Sequence, residues 1–539
     1  MTLSAEELIT RRDDLKNDRS TWENTWQKIL DVVMPNRAPV VSEETPGTRR
    51  GTTTLYDDTA PKANNRLAAA LNSTLTNRAV KWFILETDKN ELNEDQIVKT
   101  WLDEVSHTIR RELENSTFYM QVNEMYQDLG SIGTGILYVD ESKRPGRSLH
   151  FSTRHIRECC LDLSDEGDVD AVYRSFEMTA RQIKQRWKES GTISDEIEKA
   201  FEKKPNEKFE IIHVVMPRYE RDETKTDRKN LPWASIWIDA THKQIIDEGG
   251  YHEFPYMSPV WSRSSGEIYG RSPSLNNLSD ILTLNKMKKT LLRTGEKIAD
   301  PPLNVPDTID EDVDMTPGGV NYYESGTQDR IVPIDLGSRG LPITLEMWEQ
   351  QQDDIRDGYL ITQLTLIDRR QMTAEEVRQR TQENALILGP TFDRLQSEFL
   401  EQLIDRVMGI LIRSGKIVDL PDVLKGEYTR VRYVSPLARA QRMSEVQAIN
   451  TVVGTAQAWS EVRADVLDNI DFDEAIREAA DIEGAPPKII RPMEGDNSVK
   501  AIRSERQKLQ KQKLQIENAQ AAASVAKDAA SAQSTREAA

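Results

Sequence analysis

Between Ser272 and Gly415, apolar residues return every three or four positions in three long runs, the period of helices with one buried face. Ser272-Pro273 opens the first run. A capping side chain is followed by proline at the first helical position, where its missing N–H costs nothing. Leu275, Leu278, Leu282, Leu284, Met287 and Leu291 form a broad apolar face, and Pro301-Pro302 stops it. The second run passes through Leu345, Trp348, Gln352, Ile355 and Tyr359. After a loop from Leu364 to Met372, Thr373 and Glu376 form a capping box. Leu388, Phe392, Leu395, Phe399, Leu403, Val407 and Leu411 then carry the third run to Gly415. A helix from Thr373 to Ser414 would be about 60 Å long, natural for a strut and long for an enzyme core. Pro390 inside it predicts a kink near Gly389-Pro390. On periodicity alone, a helical hairpin packed in a large globular core accounts for the arrangement.

Upstream, Ser4 and Glu7 form a capping box for a helix over 4–33, with Leu15, Trp22, Trp26, Ile29 and Val33 as its stripe and Pro35 as its end. Residues 37–54 read as an exposed loop and 60–77 as a helix whose alanines permit close approach. WFILE at 82–86 reads as a short strand, 94–115 and 120–129 as helices. In GSIGTGILYVDE, Gly130, Gly133 and Gly135 match no phosphate-loop spacing and precede a strand, so they read as a turn. From 148 to 262 short strands and turns with one inserted helix (179–187) indicate an α+β domain. Residues 300–341 are turn-rich, and the acidic IDEDVD at 309–314 reads as a solvated loop. Beyond Gly415 come strands near KGEYTRVRYVSP and helices over 436–458 and 471–482. The tail from Ser498 offers only Leu509, Leu514 and Ile516 to a partner and reads as a frayed helix or disorder.

Composition changes this picture little, but it excludes much. A charged fraction of 30% and a mean hydropathy of −0.63 argue against a membrane-spanning chain, and the acidic N-terminus lacks the pattern of a signal peptide. Cys159 and Cys160 are adjacent, so they suggest neither a staple nor a metal site and fit a reducing cytoplasm. Six scattered histidines lack zinc-type spacing, and no metal or other cofactor is expected. A net charge of −19 disfavours gripping DNA through phosphates; it suits a wall that must not grip DNA and equally an ordinary acidic protein. Walker A, nucleophile-elbow and dinucleotide fingerprints are missing, so the chain reads as structural rather than enzymatic.

Six strings in order carry a resemblance: LYDDTAPKANNRLAAALNSTLTNRAVKWFILE (55–86), YQDLGSIGTGILYVDE (126–141), PYMSPVWSRSSGEIYGRSPSLNNLSDILTLN (255–285), ADPPLNV (299–305), MTAEEVRQRTQENALILGPTFDRLQSEFLEQLI (372–404) and YVSPLARAQ (433–441). From about residue 10 to 490 the chain resembles the head-to-tail connectors, or portal proteins, of short-tailed bacteriophages. The resemblance implies an α+β, mainly helical subunit of a ring, typically of twelve, at one capsid vertex, assembled in the host cytoplasm. It divides the chain into a wing (1–271), a first stem helix (272–299), a clip (300–342), a second stem helix (343–358) and a tunnel loop (359–372). A long kinked helix with return strands (373–435), a crown (436–497) and the polar, Ala-rich tail (498–539) follow. It implies a channel for packaging and ejecting double-stranded DNA, and a clip that docks the terminase large subunit and later the tail adaptor proteins. Scaffold, major capsid and internal core proteins are further implied partners, and ATP hydrolysis belongs to the terminase. A scaffold or tail-adaptor protein is the alternative.

On that division, Lys286, Lys288, Lys289, Arg293 and Lys297 of the first stem helix oppose Glu346, Glu349, Asp353, Asp354 and Asp357 of the second. Pairing between neighbouring subunits would set register, at about 0–1 kcal/mol per exposed pair, while Lys286, Lys289, Arg293 and Lys297 face DNA as rings. Two independently solvated faces are the alternative. Arg369 and Arg370 in the tunnel loop would touch passing phosphates, or else brace the third helix through Glu375 or Glu376.

Overall fold

A computed structural model describes residues 4–41, 55–87, 89, 92–93, 95–187, 192–222, 224–225, 227–304, 314, 332–333, 341–361, 389–417, 421, 424, 429–433, 436–460, 463–483, 489–491 and 498–537. In chain order the elements begin with α1 (Ala5–Val33), α2 (Thr59–Leu75), β1 (Phe83–Thr87), α3 (Gln96–Asn115) and α4 (Phe118–Ile132). Next come β2 (Leu137–Glu141), β3 (Leu149–Thr153), β4 (Cys159–Leu163), β5 (Val169–Thr179), α5 (Ala180–Arg186) and α6 (Asp195–Lys203). The strands β6 (Lys208–Pro217), β7 (Trp233–Asp239), β8 (Gln244–Tyr251) and β9 (Tyr256–Met257) lead to α7 (Leu278–Ala299). After β10 (Leu303–Asn304), β11 (Val332–Pro333), α8 (Leu341–Gly358) and α9 (Gln402–Arg413) come β12 (Thr429–Tyr433), α10 (Pro436–Ser460), α11 (Phe472–Glu483) and α12 (Val499–Glu537). This is a mainly helical α+β chain.

Two compact units divide it. The first comprises Met1–Trp82, His107–Asp419 and Ser435–Leu437; the second comprises Phe83–Ser106, Leu420–Val434 and Ala438–Ala539. In the first unit, β4 to β8 form an antiparallel five-stranded meander. Alternate side chains of a strand leave opposite faces, and both faces are covered here. Ile212, Val214, Ile236 and Ile238 pack against Leu8 and Leu15 of α1. Ile211 and Trp237 face the other way, onto Ile183 of α5, Trp187 at its C-terminal cap, and Ile197 and Ala200 of α6. Double coverage explains the apolar run IIHVV in β6, interrupted only by His213. Inside it, His213 is buried, stacked 3.9 Å from Trp237, and bonded to the Tyr256 hydroxyl (3.2 Å) and Ser235 Oγ (3.0 Å). Burial, together with Arg186, Arg174 and Arg154, pushes its pKa well down, so the ring is neutral.

The expected capping box is formed: Glu7 N–H donates to Ser4 Oγ (3.3 Å) and Ser4 N–H to Glu7 Oε2 (2.8 Å), opening a helix of 29 residues. Its stripe also buries a cation that periodicity does not reveal. Arg19 donates to the carbonyls of Ile156 (2.7 Å), Cys159 (2.7 Å) and Arg157 (3.3 Å), and to Glu23 (2.9 Å), tying α1 to the start of β4. The glycine-rich stretch is indeed a turn into β2, although α4 runs through Gly130 and ends only at Gly133, whose φ is +90°. A Cβ there would lie 2.4 Å from the Gly270 carbonyl oxygen, so the two glycines let these segments meet backbone to backbone.

Several expectations are corrected. The helix over 272–299 is broken: one turn, Pro273–Asn276, with the expected Ser272 cap, is followed at Asn277 by α7. Asn277 turns its side chain back to the Pro273 carbonyl (2.8 Å), a local bond that competes with helix continuation. A second helix, α6, is inserted beside α5; it buries only Ile197 and Ala200, too few positions for a periodic signal. Within the reach read as an exposed loop, Val40 is buried, its N–H donating to Gln27 Oε1. Before α9, residues 389–395 are helical and Gln396–Glu401 widen into a π-type turn, a local insertion that an apolar period does not announce. The kink expected near Gly389-Pro390 falls at the margin of the described residues. Gly415, at φ +68°, ends the helix as expected.

In the second unit β1 pairs antiparallel with β12, from Phe83↔Tyr433 to Thr87↔Thr429. The tail is a 39-residue helix, α12, built from strong helix formers, Ala, Gln, Lys and Arg. Arg503 grips Asp473 of α11 with two bonds of 2.5 and 2.7 Å. Among the described residues, no helix is long and apolar enough to cross a membrane.

Candidate ring interface and channel face

The helices α7 and α8 pack on each other. Asn277 lies against Gly358, where a Cβ would come within 2.3 Å of its side-chain amide, and Lys288 lies 4.0 Å over the Trp348 ring. As one helix is followed forward the other is met backward, so the pair is antiparallel. The excursion between them returns through β10 and β11, paired antiparallel as Leu303↔Pro333 and Asn304↔Val332.

One end of the pair is deeply anchored. Tyr359, fully buried, shares a 2.6 Å hydrogen bond with Ser274 Oγ, which donates to the Gly130 carbonyl of α4 (2.7 Å). Burial raises the Tyr359 pKa, so the phenol stays protonated. Ser272 Oγ donates to the Ser131 carbonyl (2.6 Å), and Ile281, Leu284 and Ile355 are buried nearby along the same two helices. Gln352 Nε2 donates to Thr59 Oγ1 of α2 (2.9 Å), and Asn285 Oδ1 accepts from Tyr56 N–H (2.7 Å). Sequence reasoning did not assign this polar anchor. Its one visible trace was Gln352, a polar residue in an otherwise apolar register.

Away from the anchor the helices are exposed and charged. Lys286, Arg293 and Lys297 are seven and four residues apart, hence one stripe, and all three are exposed. Lys288 points the opposite way, to Trp348. Lys289 leaves the stripe and lies half-buried, 5.2 Å over Tyr56. On α8, Glu346, Glu349, Asp353 and Asp357 follow at spacings of three and four and are exposed. Their stripe lies opposite the side that carries Trp348 and Ile355. Asp353 is held by Arg356 of its own helix at 2.5 Å. Among the described residues, no salt bridge joins Lys286, Lys289, Arg293 or Lys297 to Glu346, Glu349 or Asp353 within the chain. The two charged stripes therefore look outward, with opposite sign, from a pair held together by apolar and cation–π contacts. Arg369 and Arg370, with the capping box at Thr373, lie outside the described residues, as does the 309–313 part of the acidic run.

Among the described residues, no group of three or more His, Cys, Asp or Glu is arranged to hold a metal ion. Cys159 and Cys160 are both buried, and burial raises the Cys159 thiol to about 12, which leaves it inert.

Comparison with known proteins identifies the family of the chain. The chain is 30% identical to the portal protein of Salmonella phage epsilon15, over 97% of this chain and 94% of that one. It is 27% identical to a probable portal protein of Bordetella phage BPP-1, over 93% and 90%. It is 22% identical to the portal protein of Enterobacteria phage T3, over 76% and 75%. The family profile of the bacteriophage head to tail connecting proteins matches residues 5–490. The chain belongs to the bacteriophage head-to-tail connecting protein family.

Proposed function

We propose that the chain is a portal subunit: a structural protein forming a ring, typically of twelve copies, at one capsid vertex, through which the genome is packaged and later ejected. The observation that carries the reading is the antiparallel α7–α8 pair with opposite charge on its two outer faces. A pair with unlike faces is complementary to a second copy only head to tail, and a head-to-tail contact that closes makes a ring. In that ring the stripe of α8 meets the stripe of the neighbour's α7. Cations not covered by the neighbour line the channel, where few phosphate contacts suit a passage that must let duplex DNA slide without regard to sequence.

The remaining parts are assigned here by resemblance to the family. Residues 1–271 and 373–435 form the wing, 300–342 the clip that docks the terminase large subunit and then tail adaptors, and 359–372 the tunnel loop with Arg369 and Arg370. Residues 436–497 form the crown toward the capsid interior. Assembly proceeds in the host cytoplasm with scaffold, major capsid and core proteins, and the motor's ATP chemistry belongs to the terminase. Electron microscopy of the purified protein tests this reading. Closed rings with a central hole, mostly of twelve subunits, are expected in end-on views; monomers at high concentration in the presence of scaffold protein would overturn it.

A further inference from the structure

The charge of α12 departs from that of the chain around it, and we propose that its first half binds the phosphate backbone of duplex DNA. The whole chain carries −19, yet residues 499–517 hold six Lys or Arg (500, 503, 506, 508, 511, 513) against Glu505 and Glu517. That net of +4 leaves −23 on the remainder. Arg503 is committed to Asp473, which fixes the start of the helix on α11. Arg506, Lys508, Lys511 and Lys513 are exposed and, among the described residues, form no salt bridge.

Their placement fits a polyanion better than a folded protein surface. Arg506 and Lys513 are seven residues apart on one side; Lys508 and Lys511 are three apart on another. A globular partner covers one stripe of a helix, whereas duplex DNA presents one phosphate per about 1.7 Å of its axis and surrounds a basic helix with negative potential. Gln507, Gln510, Gln512 and Gln515 fill the gaps with neutral amides that neither repel phosphate nor compete for the cations. Leu509, Leu514 and Ile516 are exposed at spacings of five and two, which makes no continuous apolar seam for a protein helix. An acidic chain that conducts DNA would repel it over most of its surface; this helix supplies a local, salt-sensitive hold.

The inference deepens the portal reading by giving the genome a contact outside the stem, but DNA binding is measurable separately from ring formation. Anisotropy of a labelled duplex of arbitrary sequence would be followed with the full-length protein from about 50 to 200 mM salt. The triple variant Lys508→Gln, Lys511→Gln, Lys513→Gln should flatten the log–log salt slope by about 2.7, at about 0.9 per lost phosphate contact. The triple Lys→Arg variant should keep the slope, and circular dichroism should show the same helix content in both. An unchanged slope in the Gln variant refutes the inference. So does loss of ring mass at an unchanged slope, which would make an acidic surface of a neighbouring copy the occupant. Rings with an unchanged slope leave the portal reading standing; a flattened slope without rings does the reverse.

Discussion

Reversing the outward stripe of α7 with Lys286→Glu, Arg293→Glu and Lys297→Glu should dissolve the ring at low salt and spare the subunit's fold. None of these residues has a salt bridge within the chain among the described residues, and all three are exposed, so the isolated subunit loses little. In the proposed ring the stripe faces Glu346, Glu349, Asp353 and Asp357 across a head-to-tail contact, Asp353 being also held by Arg356 of its own helix. At about 0.5 kcal/mol per exposed pair, removing three attractions costs about 1.5 kcal/mol, and the like-charge repulsions replacing them cost a similar amount. The sum, about 3 kcal/mol per contact, weakens each contact about a hundredfold. Screening gives the effect its signature: the variant should recover rings as salt is raised toward 1 M, where the Debye length falls to about 3 Å. Compensating reversals Glu346→Lys, Glu349→Lys and Asp357→Lys, in the same chain, should restore rings at low salt. Subunit counts from end-on micrographs and native mass, across a salt series, read all three samples. Intact rings in the low-salt reversal variant would show that these stripes are solvated faces and no interface.

Three further outcomes follow from the first unit. Arg19→Ala should destabilise the subunit by about 3–5 kcal/mol in urea unfolding, because three carbonyls and Glu23 lose a buried partner; Arg19→Lys should recover only part, since one ammonium cannot replace the fork. Gly133→Ala places a Cβ against the Gly270 backbone at a φ of +90°, so a loss of about 1–3 kcal/mol is expected, measured the same way. The folded-state pKa of His213 lies well below its ordinary 6.5, so the stability it contributes is complete above pH 6.5 and is lost as pH falls toward the folded value. In that window His213→Gln should flatten the acid-side slope of stability by one proton, about 1.4 kcal/mol per pH unit; equal slopes would mean that the ring titrates normally.

Periodicity and punctuation made most elements legible. Ser4 with Glu7, Ser272-Pro273 and Gly415 mark helix ends by local chemistry that needs no tertiary partner, and each performs as its residue type dictates. What stayed hidden depends on partners distant in sequence. Arg19 occupies a helix position that any solvated arginine could hold, and only the carbonyls of 156–159 make it a core residue. The Ser274–Tyr359 bond joins residues 85 positions apart. The charges of α7 and α8 could be counted in advance, but their direction could not. Nothing in the sequence indicates that Lys288 turns to Trp348 and Lys289 to Tyr56 while Lys286, Arg293 and Lys297 look outward.

The uneven anchoring of α7 has a mechanical consequence. Its first turns sit on Ser274, Tyr359 and buried Ile281 and Leu284, while residues 295–300 at the far end are exposed on every side. Twenty-two residues make a rod of about 33 Å, held at one end like a lever on its fulcrum. A tilt of about 5° at the fulcrum therefore carries the tip by about 3 Å. In the proposed ring such tilts would add up as a change of bore, and the anchor built on Ser274, Tyr359, Ile281 and Leu284 would set the stiffness of the aperture.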